Sequence, residues 1–205
     1  MRQRMARLEW LARDKQLVTG SEGGAWLAAP VVHFAHGMLT PLFGWKDPLL
    51  RNPQSKYFLG KYWPPEAPAM FFAATELPAK YKDIYFDPRY RLPLFEAAFH
   101  DSVVATSHWT ISTLKFSNVR GTRELLELLY GVPPLYHLNR ENIAAQLREM
   151  KPHYAEFTKL HREIGLLPLT DFQWLNQAHT VQKTVFGGRV AVTVNFQTGT
   201  VQVER

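Results

Sequence analysis

The chain has no cysteine, which excludes disulfides, thiolate nucleophiles and Cys-ligated zinc. It has no apolar run long enough to span a bilayer, so no membrane partner is expected. The opening "MRQRMARLEWLARDK" is charged and amphipathic. It lacks the apolar centre of a signal peptide, which leaves the cytoplasm as the default compartment. Zinc-finger spacing, an RNA-recognition signature, a Walker loop, HExxH and an EF-hand loop are all absent, so neither a metal nor a cofactor is expected. The net charge of +6 has no focus. Arg2, Arg4, Arg7, Lys56, Lys61, Lys80, Lys82, Arg89 and Arg91 form no dense stripe, which argues against a nucleic-acid partner.

What is present is apolar and aromatic. Of 205 residues, 46% are hydrophobic and 13% are Phe, Trp or Tyr, enough for a real core. Residues 3–16 read as a helix, with Met5, Leu8, Leu11 and Ala12 on one face. "LVT" at 17–19 reads as a short strand ended by "GSEGG". Residues 26–39 fit a strand, or a helix starting near Pro30. The stretch 44–68, with Pro48, Pro53, Pro64, Pro65 and Pro68, reads as a long loop, and such loops are often functional. "AMFFAAT" at 69–75, "LFEAAF" at 94–99, "SVVATS" at 102–107 and "VPPLYHL" at 132–138 are strand candidates, with a connection over 81–93.

Leu125, Leu126 and Leu129 define a helix over 121–130. A longer one follows, with Asn139 as its cap and Pro152 expected to kink or split it. After Pro168 the pattern changes: Val190, Val192, Val194 and Phe196 alternate between Gly-Gly and Thr-Gly turns, as in an antiparallel meander. The division expected is therefore 1–168 and 169–205.

Apolar runs that end in reactive residues mark the candidate chemistry: Glu22 after "LVTGS", His100 and Asp101 after "LFEAAF", Tyr136 and His137 in "PPLYHL". In a β/α barrel, side chains past the C-terminal ends of the strands converge on one mouth. Each residue also has a plainer reading. Ser21 can cap a helix, with Glu22 in its first turn. His100 and His137 can be core histidines. Trp109 in "SHWT" can stack on a sugar ring or simply pack. Glycoside hydrolysis needs two carboxyl groups, and the proton donor is favoured by apolar and aromatic neighbours. Glu22 beside Gly23, Gly24 and Trp26 suits the donor. No second carboxylate is obvious, and Asp101 is the best placed.

"GSEGG", "YFDPRYRLPLFEAAFHDSVV", "SHW", "LLYGVPPLYHLN" and "TVFGGRVAVTVNF" together resemble the glycoside hydrolases of family 129 and their relatives in family 101, over roughly residues 5–200. These are α-N-acetylgalactosaminidases acting on mucin-type O-glycans. The resemblance implies an α/β fold: a TIM-type (β/α) barrel followed by a small antiparallel β-module, here with only part of the barrel. It implies a retaining mechanism with Glu22 as acid/base, a carbohydrate partner and no cofactor. His100, Asp101, Trp109, Tyr136 and His137 would then line half the sugar pocket. The aspartate nucleophile should lie on the preceding barrel strand, yet the only Asp before Glu22 is Asp14, near a helix end.

A full barrel takes about 250 residues, more than precede the β-module. The expectation is thus a truncated catalytic region without its nucleophile, inactive alone. The alternative is a carbohydrate- or partner-binding remnant completed by a separate N-terminal half. Open strand edges would favour self-association.

Overall fold

The computed structural model describes residues 2–22, 25–37, 52, 54, 74, 76–77, 79–107, 112–138, 140 and 143–205. Most of the 44–68 stretch, the "AMFFAAT" strand candidate apart from Ala74, and the Asn139 cap lie outside them.

Helix α1 (Arg2–Glu9) passes into one π-helical turn, Trp10–Asp14, where a single helix over 3–16 was expected. Strand β1 (Gly20–Glu22) starts just past the expected 17–19 strand. Thr19 sets its place. The Thr19 hydroxyl donates to the Val31 carbonyl at 2.5 Å, and the His33 N–H donates to the Thr19 carbonyl at 2.9 Å. A 3₁₀ turn, Ala25–Leu27, leads to β2 (Phe34–His36). With β3 (Val104–Thr106) these form a parallel sheet in the order β1-β2-β3. Val32, Ala35 and Val103 are its buried centre, against Leu8 of α1 and Phe95 and Phe99.

Two sequence expectations fail here. "LFEAAF" is helix α3 (Leu94–Phe99), following α2 (Ala79–Tyr85) and a 3₁₀ turn at Pro88–Tyr90. A short apolar run suits helix and strand equally, and packing decides. Here Phe95 and Phe99, one helical turn apart, pack with tilted rings 5.1 Å between centroids on the face turned to the sheet. "VPPLYHL" is not a strand but an irregular segment. Pro133 and Pro134 have no N–H to offer a ladder. Leu135 bonds sideways, its carbonyl to the Thr113 N–H at 2.7 Å and its N–H to the Thr113 hydroxyl at 3.1 Å.

The second half is more regular. Helix α4 (Arg120–Tyr130) ends at Gly131, whose φ of +68° only glycine adopts without strain. Helix α5 (Ile143–Ile164) runs unbroken through Pro152, contrary to the expected split. Its next turns are pinned by buried His153, Phe157, Leu160 and Ile164.

Strands β4 (Leu169–Trp174), β5 (Val181–Phe186), β6 (Val190–Asn195) and β7 (Thr200–Glu204) form an antiparallel sheet in sequence order. One core joins Val190, Val192, Val194 and Phe186 to Leu126, Leu129, Phe157 and Ile164 of the two helices. The core of this region therefore runs across residue 168. On β5 the inward residues are Gln182, Thr184 and Phe186, while Val181 and Val185 are only half buried. The Thr184 hydroxyl donates to the Leu129 carbonyl at 2.6 Å, and Gln182 Nε2 donates to the carbonyls of Pro88 and His179 at 2.8 Å each. These bonds satisfy polar groups that burial would otherwise penalise. The fold is thus mixed α/β, with a three-stranded parallel sheet and a separate four-stranded antiparallel one.

Candidate active site at the parallel strand ends

The register of the parallel sheet lines up Gly20, Phe34 and Val104, then Ser21, Ala35 and Ala105, then Glu22, His36 and Thr106. Successive side chains on a strand point to opposite faces. Ala35 lies in the cluster with Leu8, Phe95 and Phe99, so the middle row faces the helices. The row Glu22–His36–Thr106 therefore faces away from them, at the C-terminal edge of all three strands. The Phe34 ring shares that face, 6.5 Å from the His36 ring. Glu22 is exposed, His36 half-buried and Thr106 buried. Adjacent strands lie about 4.8 Å apart, so Glu22 and His36 are immediate lateral neighbours.

This geometry removes the helix-start reading of Glu22: Ser21 and Glu22 are strand residues, and no helix begins at them. It also adds His36, which sequence reasoning passed over. The signal is faint, a histidine in "HFAH" at the end of a run that suits strand and helix equally. Pairing with β1 makes it significant.

The other candidates lie elsewhere. His100 and Asp101 follow α3 and precede β3, so they stand toward the N-terminal end of the strands, opposite Glu22. His100 is buried: Nδ1 donates to the Leu167 carbonyl at 2.7 Å, and its ring packs on Phe186 at 4.8 Å between centroids. Burial holds its pKa below the usual histidine value. A Cβ at Gly131 would collide with this ring, so His100 and the αL turn together demand glycine there. Asp101 is exposed and accepts from the Ser102 hydroxyl at 2.8 Å. Trp109 lies outside the described residues.

Tyr136 and His137 sit in the irregular 132–138 segment rather than at a strand end. Burial pushes the Tyr136 phenol pKa up, and its hydroxyl is enclosed near Glu127, Glu124, Arg120 and Arg123. That segment is held from below by a buried charge network. Arg123 Nε donates to Glu127 at 3.1 Å, His153 Nε2 meets the other carboxylate oxygen at 2.9 Å, and the Thr113 hydroxyl donates to Glu127 at 2.9 Å. Arg123 Nη1 donates to the Ser112 carbonyl at 2.6 Å. Thr113 in turn bonds Leu135, so the network ties the chain after β3 to the segment carrying Tyr136.

A second buried acid was also missed. Glu96 is 3% exposed, and desolvation raises its pKa to about 7. It lines a cavity of about 10 Å³ with His100, His161 and Gly131. It sits before β3, on the His100 side of the sheet. Among the described residues no group of three or more His, Asp or Glu is arranged to hold a metal, and no helix is long and apolar enough to cross a membrane.

Residues 1–185 match the family of glycosyl hydrolases related to GH101, namely GH129. The chain belongs to glycoside hydrolase family 129. No curated protein matches it. Solved structures similar to this GH129 chain include the α-N-acetylgalactosaminidase NagBb from Bifidobacterium bifidum. Its quadruple mutant gives a TM-score of 0.55 at 19% identity, over 98% of this chain and 26% of that one. The ligand-free form gives 0.54 at 19% identity, and the GalNAc complex 0.53 at 18% identity, with the same two coverages. At such identity the likeness is one of fold. The GH129 chain spans about a quarter of the length of these solved relatives.

Proposed function

We propose that this chain supplies the acid/base side of a retaining α-N-acetylgalactosaminidase site, with Glu22 as the proton donor and acceptor. The observation that carries this reading is the position of Glu22: the last residue of a parallel strand, on the face turned away from the helices, in a family of glycosidases. Parallel β/α architectures put their chemistry at that edge, so the three strands are taken as part of a TIM-type barrel. Glu22 would protonate the glycosidic oxygen as the bond breaks, then deprotonate the water that releases the sugar. We assign the partner carboxylate to polypeptide outside these 205 residues; among the described residues the strand-end row holds no second acid. Without it no covalent glycosyl intermediate forms, and the chain alone is inactive or very weak.

A second reading, a carbohydrate- or partner-binding remnant completed by a separate N-terminal half, is favoured by one surface. Trp10, Leu17, Val18, Trp26 and Leu27 are all exposed, Val18 at 82%, and they flank β1 at the sheet edge. Exposed apolar groups of this kind mark contact surfaces.

The test is a titration of the isotope-labelled chain with an aryl α-GalNAc glycoside, read by NMR and by aglycone release. The expected result is shift changes centred on Glu22, His36 and Thr106 with no release above background. Strong release, abolished in Glu22→Gln, would show that the nucleophile lies within this chain. Shift changes confined to the His100 side would remove Glu22 from the site.

A further inference from the structure

We propose that the small cavity between α3 and α5 is a binding site for one water molecule, held between the Glu96 carboxyl and the His161 imidazole. The proposal does not depend on Glu22 being the acid/base. The bridge joins the helix before β3 to the long helix that packs on the meander.

The cavity measures about 10 Å³, close to the room that one water needs. Its wall takes in Glu96, His100, His161 and the turns at Gly131 and Gly165. A void of that size excludes any organic ligand, and it puts its lining groups within reach of a single occupant. Glu96 is 3% exposed, and its Oε1 has no hydrogen-bond partner among the described residues. A buried polar atom left so carries the full cost of its lost hydration. In folded proteins an enclosed water commonly removes that cost.

The donors and acceptors around the cavity match a water. Arg91 favours the ionised form of Glu96, but desolvation outweighs it and holds the group as the neutral acid below about pH 7. Tyr130 of α4 adds to this, since its phenol and Glu96 disfavour each other's ionisation. A neutral acid has one O–H to give and needs an acceptor for it. His100 is engaged elsewhere. Its Nδ1 bonds the Leu167 carbonyl at 2.7 Å, and the Gly131 backbone also bonds the ring. His161 supplies the other imidazole at the wall. Its ring stacks on Phe157, 5.1 Å between centroids. Desolvation, and then the nearby His100, hold its pKa below the ordinary histidine value. At neutral pH it is therefore the uncharged imidazole, with one nitrogen that accepts. A water between the two accepts from the Glu96 acid and donates to His161, and no charge is buried. Gly165 leaves the ring its place: a Cβ there would stand 2.8 Å from the His161 Cε1.

The experiment looks for the water directly in the ¹⁵N-labelled 205-residue chain at about pH 6.5, below the Glu96 midpoint. Water-selective NOESY and ROESY spectra are read at the amides of Gly131, Val132 and Gly165. A water that stays bound gives cross-peaks of opposite sign in the two spectra, whereas amide exchange gives the same sign. Wild type should show them, and so should Glu96→Gln, which keeps a polar group but has no acid proton. Glu96→Leu and His161→Phe should each reduce them to background. Absence in wild type would overturn the site. Loss in Glu96→Gln would do the same, since the wild-type signal would then come from the labile acid proton. Full intensity in Glu96→Leu or in His161→Phe would overturn the bridge. If Glu96→Leu fails to fold, His161→Phe at a half-buried ring decides together with Glu96→Gln. The glycoside titration reads Glu22 at the other end of the sheet, so either result can fail while the other stands.

Discussion

The two sheets of this molecule contrast in every respect that bears on stability. The parallel sheet has strands of three residues each, and its third strand comes from a segment far from the other two in sequence. Its buried centre is Val32, Ala35 and Val103 with a rim of half-buried neighbours. The antiparallel sheet has strands of five or six residues joined by tight turns, and its core takes in two long helices. Local hairpins cost little chain entropy to close, whereas parallel pairing across a long crossover costs more before any contact compensates. The candidate active site stands on the weaker sheet. The larger core lies in the C-terminal half and the candidate site in the N-terminal half, and sites that admit a ligand are commonly drawn from the less stable part of a fold.

The largest effect should come from breaking the strong half. Glu127→Ala leaves Arg123 and His153 buried without their shared carboxylate. A loss of about 3–5 kcal/mol is expected, read as a lower urea midpoint. It should unfold the meander and its helices together. A loss confined to the 112–138 segment in hydrogen exchange would show that the network serves that segment and not the whole core.

Next in size is a pH effect at the seam between the halves. The Glu96 pKa of about 7 exceeds the unfolded value of 4.5. Between those values the unfolded chain has released the proton while the folded chain keeps it. Stability therefore falls as pH rises from about 4.5 to about 7, by up to about 3 kcal/mol, and then levels off. His100 and His161, both lowered by burial, act in the opposite direction below about 6.5. The difference between wild type and Glu96→Gln isolates the carboxyl. If that difference does not grow with pH over this range, Glu96 is not held neutral in the folded state.

The smallest effect is expected at the site. Glu22→Gln changes an exposed strand-end side chain and should shift stability by less than about 0.5 kcal/mol. Measured beside the glycoside titration, it separates function from folding. A large destabilisation would mean that Glu22 helps hold the parallel sheet, and the contrast between the halves would soften.

Legibility in the sequence follows the same division. The meander, α4 and the long α5 were readable because their apolar periodicity is sustained over many residues. The parallel sheet was harder: three-residue strands carry too little pattern, so "LVT" was placed slightly early and "LFEAAF" was read as a strand. Once that run is a helix before β3, His100 and Asp101 move to the opposite end of the sheet from Glu22. Tyr136 and His137 were read as a strand end because "VPPLYHL" is apolar, but its two prolines leave it outside any ladder.

By itself the sequence determined composition-level facts and family membership, since those depend on residue identity at positions along the chain: no thiol chemistry, a real core, the "GSEGG" glutamate and the C-terminal alternation. Tertiary structure decided which side chains meet. Gln182 and Thr184 turn inward on β5 while Val181 and Val185 are half buried, and backbone carbonyls of Pro88 and Leu129 accept from the Gln182 Nε2 and the Thr184 hydroxyl. His36 gains its place beside Glu22 in the same way: strand register is set by long-range pairing, and no local pattern encodes which residue will stand opposite which.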